Sequence, residues 1–210
     1  MKLSPRDFVH QYWRYAQQTQ KKTGISAIAI LAQAAVESGW GEHAPGNMFF
    51  GIKAKATDSP RKRQLLTTTE YLKSPDEGHR FPKVLAITEV KPGLWKYRVK
   101  DWFRRHRTAK GSFDDHAQFF LSNPRYAEAV RVGADPLTFL REVARAGYAT
   151  DPNYFDLLAK VVRMVERHRP DMASPRTAAP LPSGEKAEVL PSPTIECGEW
   201  VPTRVLAEER

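Results

Sequence analysis

Ala27-Ile28-Ala29-Ile30-Leu31-Ala32-Gln33-Ala34-Ala35-Val36-Glu37-Ser38-Gly39-Trp40-Gly41 is the stretch that decides how this chain folds. From Ala27 to Val36 only Gln33 is polar, so no face of a helix over this run is left for water. A helix that is apolar nearly all round sits at the centre of a domain. Ser26 stands where an N-cap belongs, and Gly39 and Gly41 stop the run. A membrane span needs roughly 20 such residues, and no stretch of the chain approaches that.

The helix ends on a carboxylate. Burial and the negative end of the helix dipole both disfavour the charge of Glu37, and both raise its pKa. A carboxylic acid that keeps its proton near neutral pH is what is needed to protonate the leaving oxygen of a glycosidic bond. Turned outward, or paired with a Lys or Arg, the same residue is an ordinary surface carboxylate.

On the N-terminal side, Ser4-Pro5-Arg6-Asp7 reads as a helix start, followed by Phe8, Val9, Tyr12, Trp13 and Ala16 at helical spacing. That helix is predicted to end near Thr23-Gly24. On the C-terminal side the character changes between Arg63 and Arg104, where β-branched and aromatic residues alternate with polar ones. Leu65 to Tyr71 and Trp95 to Phe103 read as strands of a small antiparallel lobe. Alternation places Thr68, Glu70 and Leu72 on one face, with Thr69 and Tyr71 on the other. Glu70 then either faces a cleft as a second carboxylate or points to solvent from an edge. Helices resume with Ser112 before Asp114 to Leu121, then after Asn123-Pro124, Asp135-Pro136 and Asp151-Pro152, the last running to about His168. The final 38 residues carry six Pro and little periodicity, and read as a flexible or docking tail. The domain is therefore expected over 1–172 and the tail over 173–210.

Composition limits the alternatives. With 41% hydrophobic residues a packed core is expected, and the formal charge of +9 favours polyanionic surroundings. The basic residues are scattered rather than gathered into a recognised nucleic-acid module. A single cysteine, Cys197, rules out an intramolecular disulfide framework. His43, His79, His106 and His116 lack metal-ligand spacing, and neither a metal nor a cofactor is expected.

Several separated motifs together resemble glycoside hydrolase family 73, the glucosaminidase-type peptidoglycan hydrolases that include the wall-digesting domain of a flagellar rod protein. They are Ala32 to Gly41 as quoted above, Asn47, Phe50-Gly51-Ile52-Lys53-Ala54, Thr67-Thr68-Thr69-Glu70-Tyr71, Asn123-Pro124-Arg125-Tyr126, and Gly147-Tyr148-Ala149-Thr150-Asp151-Pro152-Asn153-Tyr154. The likeness runs over roughly residues 5 to 168. It implies a mainly α (α+β), lysozyme-like helical domain with a small antiparallel β-lobe flanking the cleft. It implies Glu37 as general acid, Glu70 as the second acidic residue, and Tyr148 at the catalytic centre. Trp40, Asn47, Phe50, Lys53 and Tyr71 are candidate substrate contacts, although Trp40 and Tyr148 suit a core equally well and a surface position is the default for Lys53. The bond implied is the β-1,4 linkage between N-acetylglucosamine and N-acetylmuramic acid. Two departures are visible: the family's Asn-x-Phe-Gly reads Asn47-Met48-Phe49-Phe50-Gly51 here, one residue longer, and the lobe segment from Leu72 to Val90 is longer and more charged than the resemblance implies.

A lytic transglycosylase and a noncatalytic wall-binding or scaffold module compete with the hydrolase reading. The partner expected is the glycan strand, met by a monomer without nucleic acid or membrane insertion. Met1 to Tyr15 lacks the apolar run of a secretory signal. Work at the cell wall or periplasm would then require a secretion system, flagellar export or a phage holin. An injected effector would also require a cognate immunity or inhibitor protein.

Overall fold

The computed structural model describes residues 2–149, 151 and 153–170. The expected tail and Cys197 lie outside the described residues. Six α-helices and one three-stranded sheet make up the described part: α1 (Pro5–Thr23), α2 (Ala27–Glu37), β1 (Arg63–Leu72), β2 (Lys83–Lys91), β3 (Leu94–Arg104), α3 (Ala109–Ser122), α4 (Ala127–Arg131), α5 (Pro136–Arg145) and α6 (Tyr154–His168). The fold is mainly α with a small antiparallel sheet, as the sequence implies.

Helix α1 starts where Ser4 Oγ accepts the Asp7 N–H at 3.1 Å, and stops at Gly24, whose φ of 76° is left-handed. Helix α2 packs against α1, α5 and α6, and nine of its eleven residues are buried. Its all-round apolar character is thus satisfied by neighbours on several sides. Ser26 occupies the N-cap position but makes no side-chain cap bond; Gln20 reaches over from α1 instead, its Oε1 accepting the Ala27 N–H at 2.7 Å. Helix α3 also differs from expectation. It begins at Ala109, capped by Thr108 through the Gly111 N–H at 3.1 Å, and Ser112 lies inside it. The Asn123 and Asp135 side chains each accept a backbone N–H at the starts predicted for them. Helix α6 begins at Tyr154, two residues beyond the predicted Pro152.

The sheet order is β1-β3-β2, with both pairs antiparallel. Strand β2, which the sequence left unassigned, is exposed along nearly its whole length. The lobe has its own small core of Leu72, Tyr97 and Val99 under Phe81, Val84 and Trp95. The main core lies apart from it, among the helices. Residues 52–54 join the two: Arg104 N–H donates to Ile52 O at 2.9 Å, Ala54 N–H to Trp102 O at 3.0 Å, and Lys53 bridges Phe103.

Candidate active site

Glu37 closes the last turn of α2 and is 1% exposed. It does not turn outward. Gln33 lies four residues earlier, on the same face of the helix. Both side chains meet Tyr154 at the start of α6: the Tyr154 hydroxyl donates to Glu37 Oε1 at 2.8 Å, and Gln33 Nε2 donates to that hydroxyl at 3.2 Å. One phenol therefore joins the two polar side chains that α2 carries on this buried face. Tyr148 packs beside this chain, its ring stacked on Tyr154 with centroids 5.9 Å apart. Burial, then the charge of Glu37, then Tyr126 push the Tyr148 phenol well above its usual range. Its hydroxyl has no hydrogen-bond partner among the described residues. Burial and Glu37 push Tyr154 up in the same way, against the opposing bond from Gln33.

The second carboxylate sits on the sheet. Thr68, Glu70 and Leu72 form the buried face of β1, while Tyr71 on the other face is 43% exposed, so Glu70 does not point to solvent. Lys53 Nζ donates to Glu70 Oε1 at 2.9 Å and also pairs with Asp101, while lying 4.6 Å from the centre of the Phe103 ring. Lys53 is therefore no ordinary surface lysine. Its ammonium is engaged by the carboxylates of Glu70 and Asp101.

Two candidate contacts face the core. Phe50 is 1% exposed, with its ring stacked 3.7 Å from that of His116, so its side chain belongs to the core. Trp40 also faces inward, edge-on to Phe8 at 5.5 Å. Its left-handed φ of 58° is the bend that turns the chain off the end of α2. Asn47 has a left-handed φ of 56° and donates from Nδ2 to His106 O at 3.0 Å, which ties its loop to the end of β3. The sequence reading assigns no role to Tyr154 or Gln33. The signal was present in the i, i+4 spacing of Gln33 and Glu37, which calls for a shared buried partner.

Among the described residues no group of His, Cys, Asp and Glu is arranged to hold a metal ion, and no helix is long and apolar enough to cross a membrane.

A buried glutamate at the end of a central helix and a second carboxylate on a small sheet stand in a helical domain with a small antiparallel lobe, the lysozyme-like class of fold. A family model described as glucosaminidase, mannosyl-glycoprotein endo-beta-N-acetylglucosaminidase, matches residues 13–167, and the chain belongs to that family. Peptidoglycan hydrolase FlgJ of Vibrio parahaemolyticus is 33% identical over 169 residues, which cover 78% of this chain and 48% of that protein. Exo-glucosaminidase LytG of Bacillus subtilis is 27% identical over 180 residues, covering 80% of this chain and 54% of that one. The chain thus spans about half the length of these curated relatives. The solved C-terminally truncated glycoside hydrolase domain of Salmonella typhimurium FlgJ superposes with a TM-score of 0.58 at 29% identity, covering 78% of this chain and 99% of that one.

Proposed function

We propose that this chain hydrolyses the β-1,4 bond between N-acetylglucosamine and N-acetylmuramic acid in peptidoglycan, with Glu37 as the general acid. The observation that carries the reading is the buried Glu37 carboxyl held by Tyr154. Oε1 accepts a hydrogen bond from the phenol, and the acid proton is assigned to Oε2. That proton passes to the glycosidic oxygen as the bond to the N-acetylglucosamine anomeric carbon breaks, and the freed sugar leaves as an alcohol. Water adds to the anomeric carbon and loses a proton to a carboxylate, for which Glu70 is the candidate. Tyr148 supplies a hydroxyl beside the acid, its ring stacked on that of Tyr154. The relatives named as peptidoglycan hydrolases support the substrate, and action at the cell wall follows from it. The catalytic unit is assigned to residues 1–172, since the family match stops at 167 and α6 at His168.

Glu37→Gln tests the assignment. The nearly isosteric amide cannot deliver a proton, so wall digestion falls by about two to four orders of magnitude with an unchanged melting temperature. Wild-type turnover in the folded variant would remove the proposal. The mass of the products separates hydrolysis from a transglycosylase, which leaves an anhydro-sugar. Intact glycan after incubation with the wild-type chain would indicate a binding module.

A further inference from the structure

A groove of about 1020 Å³ opens between the Pro45–Asn47 turn, the Pro60–Lys62 turn and the start of α3. Its walls are basic, and its two carboxylates are already engaged. Asp115 takes Arg104 Nη1 at 2.8 Å and hydrogen-bonds His106 Nε2 at 3.0 Å. Burial opposes the charge of Asp115, but His106 and Arg104 outweigh it and hold the carboxyl below its usual range. Asp58 accepts the Lys55 N–H at 2.8 Å and lies 3.9 Å from Arg104 Nε. Arg61, Lys62, Arg105 and Arg107 remain, all exposed. None of the four has a carboxylate partner among the described residues. Cations gathered without counter-charges repel one another, an arrangement that favours an anionic ligand.

The groove is built on a fixed frame. Arg105 N–H donates to Lys62 O at 2.7 Å, and His106 N–H donates to Gly46 O at 2.8 Å. Gly46 has a φ of +60°, and a Cβ there would lie 2.8 Å from both Arg105 Cγ and Gln64 Oε1, so the backbone closes directly on the arginine stem. The positive end of α3, starting at Ala109, faces the same space.

We propose that this groove binds the carboxylates of the peptide stems carried on the glycan strand, an inference that rests on the wall-glycan reading above. Guanidinium forks take carboxylates in two-pronged fashion. The volume and the spread of four cations suit several anionic groups in succession better than one small anion. Seven residues of β1 separate Glu70 from Arg63, which pairs with Arg104 at the groove. At about 3.3 Å per residue that is roughly 23 Å, so the stem held here belongs to a sugar away from the bond being cut. Phosphate-bearing wall polymers share the same anionic chemistry, and the experiment separates them.

The full chain carrying Glu37→Gln is titrated with three glycans: strands bearing peptide stems and phosphopolymers, strands freed of the phosphopolymers, and strands stripped of stems. Affinity should be about tenfold higher for both stem-bearing glycans than for the stripped one. Adding Arg105→Gln with Arg107→Gln should remove that preference while binding to stripped strands persists. Arg61→Gln with Lys62→Gln, from the opposite wall, repeats the test if the first pair does not fold. Equal affinity for stripped and stem-bearing strands, or a preference lost with the phosphopolymers, would overturn the inference. If the unmodified chain nevertheless cleaves glycan, the hydrolase reading survives that result. If it neither binds nor cleaves any of the three, that reading and this inference fall together.

Discussion

At the scale of single residues the chemistry gathers on one phenol. Tyr154 donates to Glu37 and accepts from Gln33, which ties the proposed acid to the start of α6. Tyr154→Phe keeps the ring stack but removes a donor that favours the charged carboxylate. Activity should fall about tenfold or more at neutral pH for a misplaced acid, and the alkaline limb of the pH–rate profile should move to higher pH. A drop in rate with an unmoved limb would make Tyr154 a packing residue only. His116 tells a second story. Burial lowers its pKa from 6.5 to about 3, against a small opposing effect of Asp115, and both ring nitrogens are without hydrogen-bond partners. Its folded pKa lies below its unfolded one, so the folded chain refuses a proton that the unfolded chain accepts. The associated stability is present above pH 6.5 and is lost as pH falls toward 3. Going from pH 7.5 to 5 should cost roughly 2 kcal/mol through this residue. Urea midpoints at the two pH values check it, and His116→Leu should flatten the difference. Glu37 was legible because a carboxylate ending an apolar run is a local pattern. Tyr154 was not assigned a role because its partner lies more than a hundred residues away, joined only by the packing of α6 on α2.

At the scale of elements, what the sequence announced is what short-range physics determines. Proline with a preceding cap opened α5 as read, and Asn123-Pro124 opened the turn before α4. Strand β2 escaped because it buries neither face: without a buried side there is no period-two pattern to read. The start of α3 escaped because Ser112 is also a cap-type residue, whereas the cap is Thr108, which accepts the Gly111 N–H and leaves Ser112 inside the helix. The cap of α2 escaped because its acceptor comes from another helix. This last point has a measurable consequence. Gln20→Ala leaves the Ala27 N–H without its acceptor at the mouth of the central helix and should cost about 1 kcal/mol. Ser26→Ala, at the nominal cap, should cost less, since its side chain makes no cap bond. Chemical denaturation of the two variants gives the comparison, and a larger loss for Ser26→Ala would contradict the assignment of the cap.

At the scale of the whole molecule, the two carboxylates belong to lobes with separate cores, Glu37 on the helices and Glu70 on the sheet. The lobes are tied by residues 52–54, and Lys53 in that tie also holds Glu70. The separation of the carboxylates is therefore a property of how the lobes meet, which no local sequence pattern encodes. In an inverting glycosidase they stand roughly 6.5–9.5 Å apart with a water between them, and about 5–5.5 Å apart in a retaining one with a covalent intermediate. A carboxylate whose charge is already engaged by Lys53 is a weakened nucleophile but can still orient a water. The expected outcome is inversion, read by NMR as the anomer of the first product formed. Glu70→Gln should then reduce turnover strongly but less completely than Glu37→Gln, because the acid still protonates the leaving oxygen while water is less well aligned. The substrate offers a third route, since its own N-acetyl carbonyl can attack the anomeric carbon. Retention together with little loss in Glu70→Gln would discard Glu70 as the base and assign the reaction to that route.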